Sequence, residues 1–352
     1  MDKIWWKKTD GASRFLSEAA EVLSGGRSVV FSLPERVPWR DTMREVLWGL
    51  LNEKFSGVRE TEILDAQEIF KAPQKFIMNN FCPDKEGFRP YGAEAYAEFL
   101  ANSPNTLLIE RCLWIQNADA AQAAEWFDFI ADYHRFLDGR GGGVFILEAT
   151  DDFAAQNCAG IEIFSYADRI SEYDCFAFNI LTAAEFCKAN NLTKQYLAEL
   201  VTRLIDGNVE LGAACLQHSI EFLKNPREMF KTIAAELDFP PRADEDIDFD
   251  IRLTQLKLIF PLVETFRRQL IKKYYQAVAA ALPCNSGYFE VEKPEQAELG
   301  TLRFLVSERR LWFDKPDWDE LLSYREIRNK LAHLEILPFD ELQIIFEKNS
   351  RR

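Results

Sequence analysis

The sequence predicts an α/β region followed by an all-α region, so the fold class is α/β plus all-α. Three observations carry this. Short continuous apolar runs, Ser28-Val-Val-Phe-Ser-Leu33 and Val144-Phe-Ile-Leu-Glu-Ala149, alternate with helical patterns over residues 1–182. Such runs mark strands buried on both faces of a parallel sheet. Beyond residue 182 only helical periodicity remains, interrupted at 240–250 by two prolines and a run of acids. The expected organisation is an α/β domain over 1–182, a small helical subdomain over 183–239, an acidic linker over 240–250 and a helical bundle over 251–352.

The elements follow in order. Residues 10–25 predict a helix with Phe15, Ala19, Val22 and Leu23 on one face, stopped by Gly25-Gly26. The first strand comes next, then a loop, then a helix beginning after Thr42 with Glu45 as its capping-box partner. An extended piece is expected at 59–64. A buried strand is expected at 105–111, ending in an acid at Glu110. Residues 118–137 predict a helix carrying Ala123, Trp126, Phe127, Ile130 and Phe136, closed by the glycines of 139–143. A last strand is expected at 174–181. Strands alternating with helices imply parallel pairing through right-handed crossovers. In the helical half, Thr182-Ala-Ala-Glu185 reads as a capping box, followed by helices at 191–205, 210–222 and 225–237. A long helix at 251–282 contains Pro261, where a kink or break is expected. After a loop at 283–293, helices at 295–308, 318–333 and 339–346 complete the bundle.

The 352 residues carry a formal charge of −15. That balance argues against broad non-specific binding to DNA, RNA or anionic membranes, so nucleic-acid contact requires a local basic patch. The seven cysteines show no CxxC pair and no clustering with the three histidines, which predicts reduced thiols in a cytoplasmic protein and no metal site. The first residues lack the apolar run of a signal peptide, and no stretch reaches the ~20 apolar residues of a membrane span.

Two places attract a chemical reading. In the first half, the order strand, loop, helix, strand with Glu110, strand with Glu148, then a helical lid resembles the AAA+ and STAND-type P-loop ATPases. In those the first loop cradles phosphates with glycine amides and a lysine. Here that loop, Leu33-Pro-Glu-Arg-Val-Pro-Trp-Arg-Asp-Thr42, has no glycine and no Lys-Ser/Thr pair, and Pro34 and Pro38 remove two amide donors. The resemblance therefore implies a degenerate NTPase-like scaffold without ATP hydrolysis and without a cofactor. Arg36 and Arg40 remain as possible anion contacts.

The second place is Arg325-Glu-Ile-Arg-Asn-Lys-Leu-Ala-His333. On a helix Arg325, Asn329 and His333 recur at i, i+4 and i+8, with Arg328 beside them. An imidazole titrates near neutrality and exchanges protons with a 2′-OH or a leaving 5′-oxygen; an arginine fork stabilises charge on phosphate. Glu264, on the long helix with Arg267 and Arg268, is a candidate to orient the motif, or is simply paired with a neighbouring arginine. Glu298, Glu320 and Glu326 are candidate partners for Arg328. His134 and His218 sit in apolar settings and read as structural.

Arg328-Asn329-(Lys-Leu-Ala)-His333, late in a helical bundle of about 100 residues, resembles the motif of the HEPN superfamily. The resemblance implies metal-independent endoribonuclease activity yielding a 2′,3′-cyclic phosphate. It assigns Arg328 and His333 as the catalytic pair and Asn329 as the positioning residue, with Arg325 and Glu264 in support. It also implies a homodimer with two motifs facing one cleft, and a place among phage-defence effectors, toxins or RNA-processing nucleases. Some members of that superfamily act only as binding modules, so a scaffold or adaptor in a larger assembly is the alternative.

Overall fold

The computed structural model describes residues 1–89, 91–153, 156–285 and 290–350. Of the loop expected at 283–293, residues 286–289 lie outside the described residues. The chain divides into two compact units, Met1–Phe178 and Asn179–Arg352.

In the first unit, α1 (Asp2–Lys8) and α2 (Asp10–Ser24) precede β1 (Ser28–Leu33). There follow α3 (Arg40–Phe55), β2 (Glu60–Asp65), α4 (Pro73–Phe81), α5 (Glu94–Asn102), β3 (Arg111–Gln116), α6 (Ala120–Leu137), β4 (Val144–Thr150), β5 (Ile161–Ser165) and α7 (Tyr166–Arg169). The next helix, α8 (Glu172–Phe186), spans the division between the units. The five strands form one parallel sheet in the order β2-β3-β4-β1-β5, with Val30 opposite both Leu147 and Ile163. Both faces are covered, which is why β1 and β4 are apolar almost throughout. One face packs under α4, α5 and α6 through Trp126, Phe129, Tyr133 and Phe145. On the other, Phe15 of α2 lies 5.1 Å from Phe31 and 6.0 Å from Phe164, ring centre to ring centre.

Two strand expectations change. The run 105–111 is not a strand: Leu107–Glu110 is a 3-10 turn, and the strand begins at Arg111. Glu110 thus stands before β3 rather than at its end. Residues 174–181 lie within α8, where Asp174 accepts from the Gly11 amide at 2.8 Å and from Ser171. The strand on the outer edge is instead β5, a short run with no sequence expectation attached to it.

The sheet also holds two polar clusters. Ser28 Oγ accepts the Phe145 amide at 2.9 Å and lies 2.6 Å from His134 Nε2. Gly160, at φ 82°, leaves room for the ring: a Cβ there would fall 2.6 Å from His134 Nδ1. Burial pushes the His134 imidazole down to about 4. Glu148, 4% exposed, receives Arg44 bidentately at 2.9 and 2.7 Å and the Trp114 indole N–H at 3.0 Å.

The second unit is helical: α9 (Asn191–Leu204), α10 (Val209–His218), α11 (Ile220–Lys224), α12 (Pro226–Glu236), α13 (Asp244–Lys273), α14 (Tyr275–Ala280), α15 (Leu299–Ser307), α16 (Lys315–Ala332) and α17 (Phe339–Ser350). Between α14 and α15, β6 (Cys284–Asn285) pairs antiparallel with β7 (Glu290–Val291). Asn190 and Asn208 cap α9 and α10 by accepting the amides of Thr193 and Leu211, each at 2.9 Å. The expected capping box at Thr182 is absent, because that residue is inside α8 and fully buried.

Of the acidic stretch 240–250, expected as a linker, residues 244–250 form the first turns of a helix. Helix α13 starts at Asp244, and its first-turn acids suit the positive end of the helix. Arg227 grips Asp248 at 2.8 and 2.7 Å, Lys231 meets Asp244 at 2.7 Å and Arg242 meets Asp250 at 2.7 Å. The helix also continues through Pro261 to Lys273 rather than breaking there. Helix α9 packs on α13 and α17, and the buried Gln255 amide joins them by bonding Tyr196 Oη at 3.2 Å and both backbone groups of Leu337 at 2.9 Å. The segments expected as a helical subdomain and a bundle fall within the one unit Asn179–Arg352. None of the seven cysteines forms a disulfide, and six of them are buried. No helix among the described residues is long and apolar enough to cross a membrane.

Candidate functional site

Helix α16 is organised by Leu321, Tyr324, Ile327 and Leu331, which recur every three or four residues and are buried. Tyr324 stacks on Phe266 of α13, ring centres 4.5 Å apart at 12°. This packing turns Arg325, Arg328 and Asn329 to one flank, where all three are half-buried. They line an open cleft of about 430 Å³ together with Glu264 and Arg267 of α13 and the segment 295–300. Four of the five side chains singled out in the sequence, Arg325, Arg328, Asn329 and Glu264, thus share one cleft.

The fifth stands apart. His333 is exposed, caps the end of α16 and does not line the cleft. Its amide donates to Asn329 O at 2.9 Å. The chain then turns through Leu334 in the left-handed region (φ 66°), with Leu334 N–H to Leu331 O at 3.2 Å and Glu335 N–H to Lys330 O at 3.0 Å. These two bonds are the Schellman pattern that ends helices, here with leucine where glycine is usual. His333 therefore belongs to the helix terminus, one step past the regular stripe.

The charges in the cleft are held unequally. Glu264 receives Arg267 bidentately at 2.7 and 2.8 Å, which holds its carboxyl below the usual range and the guanidinium above its own. Arg267 also donates to Glu295 O and Ala297 O, each at 2.9 Å. It is a clamp that fastens the cleft wall to α13, and Glu264 serves that clamp as an ordinary i, i+3 partner. Arg328 reaches Glu298 at 3.2 Å and Asn329 Oδ1 at 3.4 Å. Of the three acids considered as its partners, Glu298 is within hydrogen-bond distance of it. Arg325 has no hydrogen bond or ion pair among the described residues.

Two cleft features had no expectation attached to them: the bonds from Arg267 to the carbonyls of Glu295 and Ala297, and the carboxylate of Glu295 on the cleft wall. The i, i+3 spacing of Glu264 and Arg267 signalled their pairing, but nothing local in the sequence signals the carbonyls that Arg267 also meets.

The candidates of the first unit are committed elsewhere. Glu148 is locked to Arg44 and Trp114 as described. Glu110 borders an open groove with Trp48, Arg59 and Arg111, on the side where β2 and β3 begin. In the loop after β1, Trp6 Nε1 donates to Pro38 O at 2.9 Å, and Arg40 reaches Pro34 O and Glu35 O at 3.5 Å. Among the described residues no group of three or more His, Cys, Asp and Glu side chains is placed to hold a metal. No protein-family model matches the chain, and no curated protein matches it.

Proposed function

We propose that the second unit is a HEPN-type, metal-independent endoribonuclease that works as a homodimer. The observation that carries this reading is the pair of available guanidinium groups, Arg325 and Arg328, on an open cleft with the Asn329 amide. An RNA phosphate in the cleft takes Arg325 directly and draws Arg328 from Glu298. That exposed pair is worth at most about 1 kcal/mol, so the exchange is cheap. Asn329 orients the phosphate or the arginine. His333 takes the 2′-OH proton or protonates the leaving 5′-oxygen. The 2′-oxygen attacks phosphorus, the bond to the 5′-oxygen breaks, and a 2′,3′-cyclic phosphate remains. Because His333 stands outside the cleft of its own chain, the reading needs a second copy facing the first.

The first unit then serves as an NTPase-like frame that responds to a partner or ligand without hydrolysing ATP. Its support is the prolines and the Trp6 contact in the loop where phosphates would otherwise be cradled.

The test is cleavage of single-stranded RNA by the wild type, Arg328→Ala and His333→Ala, with the product ends analysed for cyclic phosphate. Loss in both variants is expected. Equal cleavage by all three, or none by the wild type dimer, removes the catalytic reading and leaves a scaffold.

A further inference from the structure

We infer that a groove beside the cleft is a second subsite, one that holds a nucleotide flanking the scissile bond of single-stranded RNA. The inference rests on the reading of the cleft as an RNA site. The groove, about 320 Å³, is lined by Arg267, Arg268, Ile271, Lys272, Tyr275 and Glu295. Arg267 and Glu295 also line the cleft, so the two spaces share a wall. Glu264, Arg267, Arg268, Ile271 and Lys272 stand at i, i+3, i+4, i+7 and i+8 along α13, a single stripe that runs from cleft to groove over about 12 Å.

The chemistry of the stripe changes along its length. At the cleft end the charges of the stripe itself are paired, Glu264 with Arg267. At the groove end, Arg268 and Lys272 have neither hydrogen bond nor ion pair among the described residues, and both are exposed. Tyr275 leaves 43% of its surface open beside them, over a floor made by the buried Ile271. In a chain of net charge −15, unpaired cations next to an open aromatic ring form the local basic patch that a nucleic acid requires. The ring selects the form of the ligand: a base in single-stranded RNA offers its π-face for stacking, whereas a duplex keeps it inside. An acidic peptide would use the cations and leave the ring idle.

The test is binding of the full chain to 2′-O-methyl RNA, which cannot be cleaved by its own 2′-oxygen. A labelled dinucleotide, sized for the cleft alone, is compared with a labelled longer single strand. Tyr275→Ala is expected to weaken the longer strand about tenfold without altering the salt dependence, as loss of a stacked base does. Lys272→Ala and Arg268→Ala should each reduce the slope of log Kd against log salt by about one. None of the three should affect the dinucleotide, while Arg325→Ala weakens both ligands. The subsite alone is overturned if Arg325→Ala weakens the longer strand and the three groove variants do not. Equal weakening by Lys315→Ala, a cation on α16 outside both spaces, would reduce the effect to diffuse attraction and overturn it too. Binding of neither RNA overturns the cleft reading and the subsite together.

Discussion

Arg44–Glu148 and Arg328–Glu298 are both arginine–glutamate pairs, yet they do opposite things. In the first unit the side chains of Arg44 and Glu148 are 19% and 3% exposed, and the carboxylate also holds an indole N–H. In the second unit Arg328 and Glu298 are 43% and 60% exposed and touch at a single 3.2 Å contact. A buried pair cannot release either partner without leaving a charge stranded in apolar surroundings. An exposed pair exchanges partners at little cost. The strand-borne acid is therefore fixed in the architecture, and the arginine of the cleft remains free to meet a ligand.

The sharpest way to break this contrast is to remove each arginine in turn. Arg328→Ala, like His333→Ala, is expected to lower RNA cleavage by about 10²–10⁴-fold while the unfolding midpoint stays in place. Arg44→Ala should do the reverse. It strands Glu148 and destabilises the first unit by about 3–5 kcal/mol. Six of the eight tryptophans lie in that unit, so urea unfolding followed by tryptophan fluorescence reports it. The double variant Arg44→Met, Glu148→Leu should recover much of the loss, because then no charge is stranded.

His134 extends the contrast to pH. Its folded value, about 4, lies below the usual value near 6.5. Above pH 6.5 the ring is neutral whether folded or unfolded, and it adds no pH dependence. As pH falls toward 4, the unfolded chain takes up a proton that the folded chain refuses, so stability falls, by at most about 3 kcal/mol. His134→Gln should flatten the difference between urea midpoints at pH 7 and pH 4.5; an unchanged difference would remove His134 as its source. The smallest effect belongs to the exposed pair. Glu298→Gln frees Arg328, and RNA binding at the cleft should tighten about two- to fivefold, the range open to a surface ion pair. Weaker binding would mean that Glu298 positions Arg328 rather than detaining it.

The parallel sheet was legible where strands are buried on both faces, at β1 and β4. It was misread where apolar runs do not distinguish strand from helix. Leu107-Leu-Ile109 is apolar and forms a 3-10 turn, while the strand itself starts at a charged residue, Arg111. Residues 174–181, Asp-Cys-Phe-Ala-Phe-Asn-Ile-Leu, are a short apolar run that periodicity alone does not assign, and they lie within α8. The acids of 244–250 read as solvated because their cations, Arg227 and Lys231, come from another helix. At the cleft, helical spacing was enough to group Arg325, Arg328 and Asn329. It placed His333 on the same stripe because the helix was expected to run to 333, one residue past the end of α16 at Ala332. The Leu334 turn that ends α16 contains no glycine to announce it.

The four hydrogen bonds of Arg267 have a thermodynamic consequence for whatever enters the cleft. The wall at 295–297 is already fastened to α13 in the free protein, so a ligand need not order it. Association at the cleft should therefore carry a small conformational-entropy penalty, of the kind seen with preorganised sites. Calorimetry on Arg267→Ala should separate the two contributions: a ligand of the same contacts binds with similar heat and a larger entropic loss, because the loop then has to be fixed at the moment of binding.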